Sequence, residues 1–374
     1  MEWGPIRPPS EAASLYLRLT RNCPWNRCRF CHIYKGQRFS RRSVEEIKED
    51  IREARHLADR IKELSWAYGH AGEVTPEVVQ MAAYRLGEQA GHIAIWLYHG
   101  AKTVFLQDAN SLVMSTDDLV EVLDFLRENF SQVERITTYA RAKTLARKPV
   151  EDLGRLREAG LTRVHVGLET GYDPLLEYVQ KGVTAAEQIE GGRRAKAAGL
   201  ELSEYVMPGL GGRAWWREHA LGTAEVLNAV DADFIRFRTL ALIPSMPLYE
   251  ELAAGRFEVP TEDEMVREIR LLIEHLDGIT SYVVSDHSLN LLMELEGRLP
   301  EAKPELLATI DRYLSLPEEE RQNFRLGRRL GVYRQLDDLQ DYGRRRQVQE
   351  VLARLAGRGA DVEQVVVELR NRCI

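Results

Sequence analysis

Three thiols crowd into one short stretch, Cys23-Pro-Trp-Asn-Arg-Cys28-Arg-Phe-Cys31. Thiolates on a single loop can wrap one metal centre, and thiolate is the usual ligand of an iron–sulfur cluster. Such a cluster takes up to four cysteines, so three leave one iron open to another ligand. A small molecule can bind that iron directly, which suits it to catalysis. Zinc is the competing reading, with three cysteines and a histidine. His32 adjoins Cys31 but is badly directed for closing a compact tetrahedron. His56 or His70 would have to serve from a distance, and a second CxxC is missing. A third reading is a plain α/β enzyme, such as a lyase, with incidental cysteines.

The rest of the composition narrows the setting. With 374 residues, the chain has room for one α/β barrel of roughly 200 to 250 residues plus an appendage. Apolar content of 44% with 29% charged residues suits a soluble protein that buries a large core. No run approaches the ~20 apolar residues needed to span a bilayer. MEWGPIRPPSEAAS lacks an apolar signal core, so a cytoplasmic protein is expected. A net charge of −7, with both signs interspersed, argues against a general nucleic-acid binder. Arg18, Arg21, Arg27 and Arg29 form one local basic cluster. It reads equally as surface arginines or as an anion site. Clustering of three of the four cysteines points to metal or redox chemistry rather than a disulfide framework.

The elements that must position the loop read as alternating strands and helices. SLYLRLT (14–20) alternates like a strand and leads straight into the cysteines. Residues 43–64 place Val44, Ile47, Ile51, Ala54, Leu57, Ile61 and Leu64 on one helical face, with Ser43 and Glu46 spaced as a capping box. A second helix is predicted from about Glu77 to Tyr98. Strands follow at 102–108, 135–139, 163–169, 200–207 and 233–242, separated by helical stretches, one of them ended by Gly160. Six strand–helix units imply a parallel sheet with right-handed crossovers. Six are too few for a closed eightfold barrel. The expectation is α/β: a partial (β/α)6 TIM-like barrel over residues 1–250, then a mainly helical C-terminal region over 251–374. In that region ITSYVVS (279–285) is the one β-rich interruption. Sites in such folds lie where the strands end.

At this point the residues resemble a known family. The strand–loop–helix LRLTRNCPWNRCRFC is similar to that of the radical S-adenosylmethionine (SAM) superfamily, whose usual spacing is CxxxCxxC. Here the spacing is Cys-x4-Cys-x2-Cys, with one extra residue in the first interval and aromatic Phe30 before the last cysteine. The resemblance implies a single oxygen-sensitive [4Fe–4S] cluster on Cys23, Cys28 and Cys31, with Phe30 at the cofactor. Its open iron would be chelated by the amino and carboxylate groups of SAM. One-electron reduction would split SAM into methionine and a 5′-deoxyadenosyl radical that abstracts hydrogen from a small or medium organic substrate. A reductant such as flavodoxin or ferredoxin is implied as a partner.

The resemblance extends to about residue 250. Gln107-Asp108-Ala109-Asn110 stands where family members contact the SAM amino group, although their glycines are missing here. Asp108 and Asn110 are the candidates, and a helix N-cap region is the alternative. VHVGLETGYDPLLEYVQKGVT carries a Gly-x-Glu-Thr-Gly turn. It implies that Glu169 holds the ribose hydroxyls, since a carboxylate accepts two hydroxyl protons. Lys181 would neutralise the SAM carboxylate, or is simply a helix end. Met207-Pro208-Gly209-Leu210-Gly211-Gly212 resembles the turn beside the adenine, with Gly209 as its cofactor-binding candidate.

Three further residues form a candidate catalytic set: His287, Asp286 and Arg238. Arg236 and Arg238 share one face of the sixth strand. Facing inward, they would bind a carboxylate or phosphate of the substrate. Asp286 and His287, with Asn290 nearby, follow an apolar strand as a proton-transfer or substrate site would. The alternative there is a helix N-cap at Asp286 or Ser288 with a bystander histidine. Cys373 alone is too few thiols for a second cluster, and only 22 residues precede Cys23, where cobalamin-dependent members carry an extra domain. A single-cluster enzyme is therefore expected. The rival class is a non-catalytic iron–sulfur or zinc protein acting as electron carrier or scaffold.

Overall fold

The computed structural model describes residues 1–372, so Cys373 lies outside the described residues. In chain order the strands are β1 (Leu15–Arg18), β2 (Thr20–Arg21), β3 (Ser40–Arg41), β4 (Thr103–Gln107), β5 (Arg135–Ala140), β6 (Leu161–Glu169), β7 (Glu201–Val206), β8 (Phe234–Phe237), β9 (Tyr282–Val284) and β10 (Gly297–Arg298). Helices α1 (Val44–Ala67), α2 (Pro76–Leu86), α3 (Glu88–Tyr98), α4 (Thr116–Asn129), α5 (Ala142–Arg147), α6 (Val150–Ala159), α7 (Asp173–Tyr178), α8 (Ala185–Ala197) and α9 (Gly212–Val230) alternate with them. After β8 come α10 (Pro247–Ala253), α11 (Glu262–His275), α12 (Lys303–Leu314), α13 (Glu318–Arg329), α14 (Tyr342–Gly357) and α15 (Val362–Asn371). The α/β class with mostly parallel strands is as expected.

The chain divides into two compact units. The first comprises Met1–Asn26, Ile33–Val166 and Glu190–Leu202. In it β1, β4, β5 and β6 pair parallel in that order, starting from Leu15 opposite Val104. Leu15, Leu17, Val104, Phe105, Ile136 and Val164 are buried, as parallel strands covered by helices require. Helix α1 buries Ile47, Ile51, Ala54, Leu57 and Ile61, the centre of the predicted face. Each such Leu or Ile contributes about 1.5–3 kcal/mol. The capping box forms: Ser43 N donates to Glu46 Oε2 at 2.7 Å, and Glu46 N donates to Ser43 Oγ at 3.2 Å. The single helix predicted over 77–98 is two helices. Gly87 separates them with φ +95°, a backbone that only glycine adopts easily, while the apolar period runs on past it.

The second unit comprises Arg27–His32, Gly167–Ile189 and the chain from Ser203 onward. Here β7, β8 and β9 pair parallel, and β10 pairs antiparallel with β9. Within the 279–285 stretch, Tyr282–Val284 is thus a sheet strand, with Ile235 opposite Val283. The helix start weighed at Asp286 or Ser288 is absent, and residues 286–292 turn instead. The cause is competition for the backbone. Arg328 Nε and Nη2 donate to the carbonyls of Leu291 and Asn290, both at 2.9 Å. Arg329 takes those of Ser288 and Leu289 at 3.0 and 2.9 Å. Among the described residues no helix is long and apolar enough to cross a membrane.

Candidate functional site

The cysteine loop begins in the first unit. Asn22 (φ +69°) and Asn26 (φ +46°) flank Cys23 in left-handed conformations, which asparagine tolerates better than most residues. Asn26 N donates to Cys23 Sγ at 3.4 Å, and Asn26 Nδ2 bonds the Tyr34 carbonyl. Asp108, at the end of β4, is fully buried. Its Oδ2 accepts from Arg18 Nη2 at 2.8 Å and from Asn22 N at 3.1 Å, and its Oδ1 accepts from the Tyr34 hydroxyl. Asn110 donates to Thr144 Oγ1 at 2.8 Å and accepts from Arg141 N at 3.2 Å, tying the loop after β4 to α5. The Arg141 guanidinium lies 5.0 Å from the Trp25 ring centroid. Both predicted SAM contacts after β4 therefore have protein partners. In the basic cluster, Arg18 pairs with Glu2 and Asp108, and Arg21 pairs with Glu2 and Glu46.

In the second unit Arg29 N donates to the Val179 carbonyl and Leu248 N donates to that of Arg29, both at 2.9 Å. These bonds hold the segment so that Phe30 packs among Leu175, Val179, Met207 and Leu240, with Cys28 and Cys31 against the same cluster. Arg29 pairs with Glu251 at 3.6 Å. Cys23, Cys28 and Cys31 are each half-buried, and none of them is in a disulfide. Among the described residues no three His, Cys, Asp or Glu side chains gather as a single ion would need. An iron–sulfur cubane instead distributes its cysteines over separate irons.

Glu169 closes β6 with φ +64°. Its Oε1 is 3.1 Å from Lys181 Nζ, and that ammonium lies 5.4 Å from the Phe30 ring centroid. Gly167 makes the pair possible, because a Cβ there would fall 2.2 Å from Glu169 Oε1 and 2.9 Å from Lys181 Nζ. Glu204, on β7, is 1% exposed, and among the described residues its Oε2 has no hydrogen-bond partner. Burial pushes its carboxyl up to about 8, against the pull of Lys181 and with the push of Glu169. Sequence reasoning missed Glu204. The signal was a carboxylate sharing strand parity with Leu202 and Val206. Gly209 (φ +89°) donates its N–H to Glu268 Oε1 at 2.8 Å, and a Cβ there would meet Met265 Cε at 2.8 Å. His219 sits 2.8 Å from Thr170 Oγ1 and 3.1 Å from the Met207 carbonyl, bracing the turns after β6 and β7.

The two β8 arginines differ. Arg236 Nη1 bonds Asp286 Oδ2 at 3.1 Å, so Asp286 is tied up as a counterion. Arg238 lies half-buried just past β8, with its backbone N–H on the Val206 carbonyl at 2.9 Å. His287 Nδ1 accepts from Leu289 N at 3.2 Å, which puts the neutral ring's proton on Nε2. Burial and then Arg238 push His287 down to about 4. The same two causes hold His32 below its ordinary value.

The radical SAM superfamily profile matches residues 17–222, more than half of the chain. The chain belongs to the radical SAM superfamily. Radical SAM proteins bind a [4Fe–4S] cluster and SAM. This member is 24% identical over 189 residues to the heme chaperone HemW of Bacillus subtilis (strain 168), covering 50% of this chain and 49% of that one. It is 26% identical over 121 residues to a tRNA uridine(34) acetyltransferase of Methanocaldococcus jannaschii, covering 32% and 22%. With the biotin synthase of Clostridium botulinum (strain Loch Maree / Type A3) it shares 29% over 150 residues, covering 37% and 46%. The chain thus spans about half or less of the curated relatives it matches. Among solved structures, coproporphyrinogen III oxidase (HemN) from Escherichia coli aligns with TM-score 0.45 at 13% identity, covering 70% of this chain and 52% of that one.

Proposed function

We propose that this radical SAM protein is an enzyme, with Cys23, Cys28 and Cys31 as the ligands of its [4Fe–4S] cluster and a small or medium organic molecule as substrate. The bound cofactors supply one-electron cleavage of SAM and hydrogen abstraction from the substrate. The donor set fits: three half-buried thiols on one loop, none in a disulfide. Phe30 fills the apolar wall behind Cys28 and Cys31. Glu169 accepts from the ribose hydroxyls, and Lys181 holds its carboxylate in place while offering positive charge to the methionine carboxylate. The single observation that carries the reading is the Glu169–Lys181 pair, seated over Gly167 at the end of β6. A flavodoxin- or ferredoxin-like protein is the proposed reductant.

Anaerobic reconstitution tests this. The expected result is about four irons per chain, and 5′-deoxyadenosine on reduction with SAM. HemW, a relative named as a heme chaperone, makes the cleavage assay the deciding one. A cluster without SAM cleavage would support a carrier or scaffold instead. Stoichiometric zinc, or no metal, would overturn both.

A further inference from the structure

We propose that Arg238 and His287 form an oxyanion-binding subsite, and that the substrate of this enzyme carries a carboxylate or phosphate. The inference rests on the radical SAM reading and adds the chemical class of the substrate.

Backbone and side-chain bonds bracket the two residues together. Asn290 Nδ2 donates to the Phe237 carbonyl at 2.8 Å, and its Oδ1 accepts from Thr239 N at 2.9 Å. Arg238 lies between those two anchored residues. On the other side, Asn290 N donates to the His287 carbonyl at 2.9 Å, and Arg236 bonds Asp286 at 3.1 Å. The turn carrying His287 is therefore clasped against the end of β8 at positions either side of Arg238. Arg328 and Arg329 hold the same turn from behind through four of its carbonyls.

Charge accounting then separates the arginines. Arg236 has its carboxylate, and Arg18, Arg21 and Arg29 have theirs. The Arg238 side chain has no hydrogen bond or ion pair among the described residues, and its positive charge acts with burial to hold the His287 ring neutral. A half-buried guanidinium with five donors and no anion is set up for bidentate carboxylate or phosphate recognition. The His287 Nε2–H is one more donor. Asp286 serves Arg236 as its counterion in this arrangement.

Titration calorimetry of the reconstituted protein with inorganic phosphate, succinate and SAM is the test. One saturable site for phosphate or succinate is expected, weakened about tenfold or more in Arg238→Gln and partly restored in Arg238→Lys. His287→Asn should weaken it less. SAM affinity should stay within about twofold in all three. No saturable binding, or binding indifferent to Arg238→Gln in a variant that melts like the parent, overturns the proposal. Should Arg238→Gln fail to fold, His287→Asn must still weaken oxyanion binding. A tenfold fall in SAM affinity in Arg238→Gln would assign the charge to the SAM carboxylate and overturn the substrate class. Oxyanion binding in a protein that yields no 5′-deoxyadenosine would sink the radical reading alone.

Discussion

Lys181 Nζ and Glu169 Oε1 lie 3.1 Å apart, and both side chains are largely withdrawn from water, at 13% and 12% exposure. An ion pair this enclosed is held in one geometry, so the free carboxylate oxygen faces a fixed direction. Glu169→Ala should keep full iron content and weaken SAM binding about tenfold or more, the worth of one charge-assisted hydrogen bond. Gly167→Ala offers a second route. The added Cβ would sit 2.2 Å from Glu169 Oε1, so the pair must move although neither partner changes. A similar loss is expected. Equilibrium binding of labelled SAM checks both, and unchanged affinity in Glu169→Ala would show that the ribose is held elsewhere.

Glu204 makes stability depend on pH in a definite direction. Its folded carboxyl titrates near 8, against an ordinary value of 4.5, chiefly because it is buried. Between those values the unfolded chain ionises and the native state does not. Stability that is full below about pH 4.5 is therefore lost as pH rises toward about 8. At pH 7 the loss is on the order of 3 kcal/mol. Glu204→Gln removes that penalty. Thermal melts of the variant and parent should coincide near pH 4.5 and separate, with the variant higher, by pH 8. Parallel curves would refute the buried neutral acid.

How much of this was readable beforehand depends on the sequence distance between partners. The Ser43–Glu46 box and the strand into the cysteines are local patterns, and both are present. The position of Glu169 at the end of β6 was legible because a strand, its terminal carboxylate and the following glycine are contiguous. Gly87 was not, since the apolar period continues through it and only the backbone sign changes. Arg236 and Arg238 share strand parity, so only Asp286, fifty residues on, tells them apart. Glu268 reaches Gly209 from 59 residues away. Glu204 looked like any strand residue because its significance is its burial, which depends on what packs around it.

Arg329 joins the C-terminal helices to the turn bearing His287. Its Nη2 and Nε lie 2.6 and 3.0 Å from Glu262 Oε1, both side chains are 1% exposed, and its Nη groups also take the Ser288 and Leu289 carbonyls. Replacing it with methionine leaves Glu262 to Arg370 at 3.4 Å and strands two carbonyls. Breaking one side of a buried ion pair costs about 3–5 kcal/mol, and the remaining arginine favours the lower end. Urea unfolding of Arg329→Met should show a loss near 3 kcal/mol. A loss under about 1 kcal/mol would mean that water replaces these bonds.

Asp108 is predicted to act on the cysteine loop rather than on SAM. Arg18, the Asn22 N–H and the Tyr34 hydroxyl occupy its two oxygens, and Asn22 immediately precedes Cys23. Arg18 keeps Glu2 at 2.9 Å when Asp108 is lost, so the charge is not wholly abandoned. Asp108→Ala should therefore cost about 2–3 kcal/mol, and Tyr34→Phe about 1–2 kcal/mol. Both should lower iron incorporation on reconstitution, because the turn presenting Cys23 loses its anchor. A residue that touched only the SAM ammonium would behave differently. Its alanine variant would load full iron, melt like the parent and lose SAM affinity alone. Iron content and the melting temperature of the unreconstituted protein, measured together, separate the two roles. Full loading with an unchanged melt in Asp108→Ala would return this carboxylate to the SAM site.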